Sequence, residues 1–153
     1  MKKLKLALVS LCLASTIPLS IGTLAPVIPV EARLTDIECL AQNIYHEARG
    51  EPLEGQLAVA QVTLNRVQSA GYPNTVCGVV YAHRQFSWTN SKTKKVKNAK
   101  AWRAALDVSR AVLTQSVPLP KFNAMHFHTR QVKPYWSKNK QVVAVIGNHI
   151  FYS

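Results

Sequence analysis

The sequence predicts an α+β domain, mainly helical, with a small antiparallel β element at its C-terminal end. Apolar residues recur at helical spacing across three stretches between residues 36 and 113. Short β-prone runs follow Pro118 and Pro120, and no internal repeat or linker divides the two parts.

The elements follow in order. Thr35-Asp36-Ile37-Glu38 has the pattern of a capping box, which predicts a first helix over about 36–48 with Leu40, Ala41, Ile44 and Ala48 on its apolar face. Gly50 stops it. Pro52 suits the first turn of a second helix, where its missing N–H costs nothing, and Ala58, Val59, Val62 and Val67 carry that helix to about Ser69. Gly71-Tyr72-Pro73-Asn74 is a turn, and residues 76–81 are a short buried segment, helix or strand. Ala99, Trp102, Leu106, Ser109 and Leu113 mark a third long helix. Residues 124–129 and 142–146 read as strands, and Gly147-Asn148 turns the chain into a last strand over 149–152.

Upstream of this domain, Met1-Lys2-Lys3-Leu4-Lys5 precedes an apolar run from Leu6 to Ala25, the n-region and h-region of a secretory signal. Val30-Glu31-Ala32 offers small residues at a cut site, so residues 1–32 are expected to be a signal peptide and 33–153 the single mature domain. An uncleaved anchor is the alternative, opposed by Pro18, Gly22, Pro26 and Pro29. Cys12 follows Leu11, which does not suit lipid attachment. The expected location is outside the cytoplasmic membrane, in the periplasm or cell wall.

The formal charge is +12, and removing Lys2, Lys3, Lys5 and Glu31 lowers it by only two. Such a balance favours an anionic surface. With export, an anionic cell-envelope polymer fits better than nucleic acid, for which no basic helix or aromatic ladder is present. The run Lys92 to Lys100 is most simply a solvated loop; docking on an acidic polymer is its alternative. Cys39 and Cys77 are expected to form one disulfide in an oxidising compartment, the alternative being two buried thiols. A monomer is expected, and no cofactor.

Acids are scarce, and three of the seven fall within residues 47–54. His46-Glu47 begins like the zinc motif H-E-x-x-H, but Gly50 occupies the second histidine position, so that motif is absent. His126, His128 and His149 are a weaker candidate metal set, more simply read as ordinary hydrogen-bonded residues. Glu47, beside Tyr45 and Ala48 near a helix end, is placed to lose hydration, hold a proton and act as a general acid. A structural Glu47 paired with Arg49 is the alternative.

Glycosidases commonly place a second carboxylate about 5–9.5 Å from the acid. Asp36 and Glu38 lie roughly 14 Å or more along the first helix. Asp107 falls on an exposed helix face, and Glu51 and Glu54 are expected to cap and shape the second helix. That shortage favours one essential acid/base, with the substrate's own hydroxyl or N-acetyl group as nucleophile.

Several linked stretches carry a resemblance. They are Ile44-Tyr45-x-Glu47-Ala48-Arg49-Gly50-Glu51-Pro52-x-x-Gly55-Gln56-x-Ala58-Val59-Ala60, Leu64-Asn65-Arg66-Val67, Tyr72-Pro73-Asn74-Thr75-Val76-Cys77-x-Val79-Val80-Tyr81, Gln85-Phe86-Ser87-Trp88-Thr89 and Ile146-Gly147-Asn148-His149-x-Phe151-Tyr152. Together they resemble the bacterial cell-wall hydrolase family, best known from spore-cortex-lytic enzymes of the SleB/CwlJ type.

The resemblance covers about residues 39–152. It implies a lysozyme-like or lytic-transglycosylase-like domain that cuts the MurNAc–GlcNAc bond of peptidoglycan glycan strands. It makes Glu47 the catalytic acid. Attack by the muramic C6 hydroxyl would leave an anhydro end; simple hydrolysis and a catalytically inactive wall-binding protein are the alternatives. Gln85, Ser87 and Trp88 are expected to line the glycan groove, Trp88 as a stacking platform, with core packing the alternative for Trp88. His128, Trp136, Asn148 and His149 are expected on the opposite wall, with turn-stabilising roles equally open for the last two. Asn65 and Arg66 are expected to tie the second helix to the Glu47 loop. The chain carries no peptidoglycan-binding repeats of the kind found in the spore enzymes, which favours a general envelope role.

Overall fold

The computed structural model describes residues 30–90 and 95–153, with side chains of the first helix from Asp36 onward. The expected signal segment before residue 30 lies outside the described residues. Four α-helices lead: α1 (Val30–Ala48), α2 (Leu53–Val67), α3 (Val76–Tyr81) and α4 (Ala99–Leu113). They are followed by β1 (His126–Thr129), β2 (Val142–Ile146) and β3 (His149–Tyr152), with short 3-10 turns at Ser87–Asn90 and Tyr135–Asn139.

The first helix begins earlier than the capping-box pattern predicts. Thr35 lies inside α1, where it is not the N-cap, because nothing between Val30 and Leu34 breaks a helix. At α2, Pro52 occupies the N-cap position rather than the first turn, and the helix ends at Val67. Residues 76–81 resolve as a helix because Thr75 caps them, its Oγ1 accepting from the Gly78 amide at 3.0 Å. Asn98 does the same for α4, accepting from the Ala101 amide at 3.0 Å.

The helices enclose a core built from Leu40, Ile44 and Tyr45 of α1, Ala60 of α2, Val76 and Val80 of α3, and Ala105, Val108 and Val112 of α4, with Phe86 and Trp88 from the intervening loop. A buried polar contact sets α1 against α2: Asn43 Nδ2 donates to Thr63 Oγ1 at 3.1 Å, and Thr63 Oγ1 donates to the Val59 carbonyl at 3.3 Å. Cys39 and Cys77 are disulfide-bonded, joining α1 to α3 across a sequence separation of 38.

The sheet is antiparallel in the order β1-β3-β2, so the last strand is central. The β2–β3 register shifts between Val142 and Ala144, a bulge that bends the edge strand. Fully buried Phe151 on β3 anchors a second core with Ala48, Ala58, Val59, Val62 and Ala124. Burying a ring of that size contributes about 1.5–3 kcal/mol. This second core seats the sheet against the junction of α1 and α2, the junction at which Glu47 stands.

Candidate active site

Glu47 lies in the last turn of α1 and is half-buried, between buried Ala48 and the exposed break Arg49-Gly50. Burial pushes its carboxyl above the ordinary range, while the Arg66 guanidinium pulls it part of the way back. The carbonyl end of α1 acts in the same sense as burial, because the negative end of a helix disfavours an anion. The result is a carboxyl disposed to keep its proton, with one cation close enough to steady it once the proton has left.

Arg66 is the partner that sequence patterning placed only loosely. It is 5% exposed, donates from Nε to the Met125 carbonyl at 2.9 Å, and lies over the rings of Tyr72 and Phe86 at 5.5 and 5.3 Å. Asn65 turns elsewhere. Its Nδ2 donates to the carbonyls of Phe122 and Ala124, and its Oδ1 accepts from Gln61 Nε2, which fixes the amide's orientation. Asn65 therefore ties α2 to the lead-in of β1 rather than to the Glu47 loop. The alternative Glu47–Arg49 pair does not form: Arg49 donates to the Tyr45 carbonyl at 3.2 Å and covers the Tyr45 ring.

The other acids separate. Glu51 does not cap α2, which has no side-chain cap. Its carboxylate reaches the β2–β3 turn, accepting from Asn148 N at 2.8 Å and Asn148 Nδ2 at 3.1 Å. Gly147 in that turn has φ +56°, and a Cβ there would collide with Glu51 Oε2. Glu54 is exposed in the first turn of α2, and Asp107 pairs with Arg110 on the exposed face of α4.

The expected groove residues divide. Ser87 is exposed and Gln85 half-buried, and Phe86 between them packs on Arg66, which brings this loop beside the Glu47 partner. Trp88 is 9% exposed with the His46 ring stacked on it at 4.4 Å, so it is a packing residue and not an open stacking platform. Trp136 is 37% exposed and rests on His126, His128 and Tyr152, an aromatic surface on the sheet side.

His149 is 2% exposed, too deep to wall a groove; it packs edge-on against Phe127, its Nδ1 3.9 Å from Glu51 Oε1. Burial lowers its pKa more than Glu51 raises it, so the ring is neutral. Asn148 is exposed, and its backbone N–H and one Nδ2 N–H donate to Glu51. His128 is buried. Its Nδ1 bonds the Thr129 carbonyl at 2.9 Å, which assigns the proton to Nδ1 and leaves Nε2 to accept from the Tyr152 hydroxyl at 2.8 Å.

His126 is a site neighbour that sequence patterning named only as a metal candidate. Burial, with Lys140 and Arg66, holds it down to a pKa of about 4, so a neutral imidazole stands near the cation that neighbours Glu47. The three histidines are thus engaged separately. Among the described residues no group of three or more His, Cys, Asp or Glu side chains gathers to hold a metal ion.

Residues 50–152 match the family model described as Cell Wall Hydrolase. The spore cortex-lytic enzyme of Oceanobacillus iheyensis is 35% identical over 133 residues, covering 85% of this chain and 46% of that protein. That of Bacillus subtilis is 37% identical over 117 residues, covering 76% and 37%. The chain thus spans less than half the length of these relatives. Among solved structures, the catalytic domain of the Bacillus cereus SleB protein aligns with TM-score 0.63 at 33% identity, over 88% of this chain and 99% of that one. The catalytic domain of the germination-specific lytic transglycosylase SleB from Bacillus anthracis aligns with TM-score 0.63 at 32% identity, over 90% and 100%.

Proposed function

The chain belongs to the cell wall hydrolase family, and from that premise we propose that it is an exported enzyme that cleaves peptidoglycan glycan strands as a lytic transglycosylase, with Glu47 as its general acid and base. The observation that carries this is the state of Glu47. Its carboxyl is half-buried, raised in pKa and faced by Arg66, whereas Glu51 is bonded to Asn148, Asp107 to Arg110, Glu38 and Glu54 are exposed, and Asp36 lies about three helical turns away along α1. The likeness to two solved catalytic domains, each covered almost completely, supports assigning the activity to this one domain.

The chemistry needs no second carboxylate. Protonated Glu47 donates to the glycosidic oxygen as the bond to the anomeric carbon breaks, and positive charge develops on the muramic ring. The resulting carboxylate, steadied by Arg66, takes the proton of the muramic C6 hydroxyl as that oxygen bonds the anomeric carbon. Glu47 ends protonated, an anhydro ring is formed and no water is consumed. The aromatic surface at Trp136 suits the apolar face of a sugar ring. A signal over residues 1–32 and the positive charge of the chain would hold the enzyme at anionic envelope material outside the membrane.

The test is digestion of purified peptidoglycan by wild type and Glu47→Gln, with mass spectrometry of the fragments. Anhydro-muropeptides from wild type alone are expected. Reducing ends in their place would make the enzyme a hydrolase, and equal release by both proteins would remove Glu47 from the mechanism.

A further inference from the structure

Eight large apolar side chains among the described residues are exposed, and five of them, Val132, Tyr135, Trp136, Val142 and Val145, fall between residues 132 and 145. Single exposed valines are ordinary; a concentration of this kind in one stretch marks an interaction surface.

The sheet gathers these residues on one side. Val142 pairs with Tyr152 and Val145 with Ile150, and His126 and His128 of β1 pair with the same two residues of β3. All six side chains therefore share the outer face, opposite buried Phe151 and His149. Strict alternation would set Val142 and Val145 on opposite faces. The bulge between Val142 and Ala144 removes that mismatch and turns both outward. Trp136 lies against His126, His128 and Tyr152, so the short turn that carries Tyr135 crosses this same face. Val142 and Val145 remain 51% and 50% exposed beside it, and Tyr135 79%.

The charge of the stretch has one sign. No Asp or Glu follows Asp107 in the chain. Arg130, Lys133 and Lys138 are exposed, and Lys138 Nζ lies 5.4 Å from the Tyr135 ring centroid. Glu51 reaches the β2–β3 turn, but it is bonded to Asn148 and its side chain is only 8% exposed. The partner is therefore anionic. A phosphate polymer would engage the cations and leave the valines and Tyr135 in water. A second copy docked about a twofold axis would set Lys133 and Lys138 against their own kind with no carboxylate between. An anionic bilayer satisfies both parts: aliphatic side chains enter the acyl boundary, tyrosine sits at headgroup level and lysines meet the phosphates.

We propose that the outer face of the sheet, through Tyr135, Val142 and Val145 with Lys133 and Lys138, docks on the anionic phospholipid surface of the membrane across which the chain is exported. Among the described residues no helix is long and apolar enough to cross a membrane, and this attachment is peripheral. Trp136, over β1 and β3, borders the patch on β2, so the docked enzyme works on glycan strands lying next to the membrane. The surface rests on the export proposed above and is independent of the cleavage chemistry.

The test uses brominated lipid as a depth probe on the full chain. In Tyr135→Trp, vesicles of equal parts phosphatidylglycerol and phosphatidylcholine should quench the added tryptophan, and phosphatidylcholine alone should not. In Leu53→Trp, at an exposed apolar site on α2, neither should. Adding Lys133→Gln or Lys138→Gln to Tyr135→Trp should raise the lipid needed for half-quenching about fivefold each. Val142→Ser/Val145→Ser should raise it further, with circular dichroism and turnover of soluble glycan unchanged; if that pair misfolds, the lysine variants carry the test.

No quenching at Tyr135→Trp, or equal quenching at Leu53→Trp, overturns the surface. So does binding of poly(glycerol phosphate) that needs the lysines while the vesicles are ignored, which transfers the face to a wall polymer. Self-association in sedimentation that Val142→Ser/Val145→Ser abolishes, with no quenching, transfers it to a second copy and also overturns it. Export is read separately, by cell fractionation: a cytoplasmic chain that still docks on these vesicles sinks the export and leaves the surface standing.

Discussion

Glu51 and Asn148, 97 positions apart in sequence, are joined by two hydrogen bonds, with the Asn148 backbone N 2.8 Å from one carboxylate oxygen and its Nδ2 3.1 Å from the other. The Glu51 amide in turn donates to the Ala48 carbonyl at 2.9 Å. One acid therefore links the end of the Glu47 helix to the turn of the central strand. It registers the helical part against the sheet.

This contact should be measurable by a double-mutant cycle. Glu51→Ala removes two charge-assisted hydrogen bonds and is expected to cost about 1.5–3 kcal/mol in urea melts. Gly147→Ala should also destabilise, because its φ is +56° and the added Cβ meets Glu51 Oε2. In the Glu51→Ala background the collision disappears and only the backbone strain remains. The cost of Gly147→Ala should therefore be smaller there; strict additivity would mean that the turn does not rest on Glu51.

The Cys39–Cys77 bond joins α1 to α3 beneath the same helices. Closing a loop of this size restricts the unfolded chain by roughly 3–4 kcal/mol in the chain-entropy model. Reduction, or the paired Cys39→Ser/Cys77→Ser replacement, should lower stability by an amount of that order. Non-reducing peptide mapping by mass spectrometry should recover the two cysteines in one linked peptide. An unchanged melting temperature on reduction would mean that the α1–α3 packing needs no tether.

The parts of this fold that were legible in sequence are those whose signal is local. The β2–β3 hairpin followed from Val142 to Ile146, Gly147-Asn148 and His149 to Tyr152, because strand pattern and turn chemistry lie side by side. The start of α1 did not, because a capping-box pattern at Thr35 competes with an uninterrupted helix-forming stretch before it. Residues 76–81 are too short for periodicity to separate helix from strand, and the Thr75 cap decides. The partial burial of Glu47 was legible from its place at a helix junction. Arg66 was expected near the Glu47 loop only through the family resemblance, and the Glu51–Asn148 contact was not expected at all, since each spans a separation that no local pattern reports.

His126 offers a direct spectroscopic check of the sheet-side wall. Burial, Lys140 and Arg66 hold it to a pKa of about 4, well below the ordinary histidine value of 6.5. In an NMR titration its ring resonances should stay in the neutral form through the range where an ordinary histidine gains its proton. They should move only near pH 4. A midpoint close to 6.5 would mean that His126 is solvated and that Arg66 does not face it. Between those two values the unfolded chain binds the proton more readily than the folded one, so this residue lowers stability as pH falls through that window.

Glu47 makes the opposite contribution, and the sign separates it from an ordinary ion-paired acid. Burial raises its folded pKa above the ordinary glutamate value of 4.5, with Arg66 opposing. Below the unfolded value both states hold the proton and the group is neutral to stability. As pH rises past it, the unfolded chain releases the proton while the folded chain keeps it, so stability falls until the folded carboxyl has also ionised. Glu47→Gln cannot titrate and escapes this loss. The melting temperature of Glu47→Gln minus that of wild type should therefore grow as pH rises from 4 and level off above the folded pKa of Glu47. The same substitution should reduce glycan cleavage by roughly 10²–10⁴-fold, the usual contribution of a positioned acid–base group. A difference that shrinks with pH would mean that attraction to Arg66 outweighs burial. Glu47 would then be an ionised partner of Arg66 at neutral pH, with no proton to give to a glycosidic oxygen.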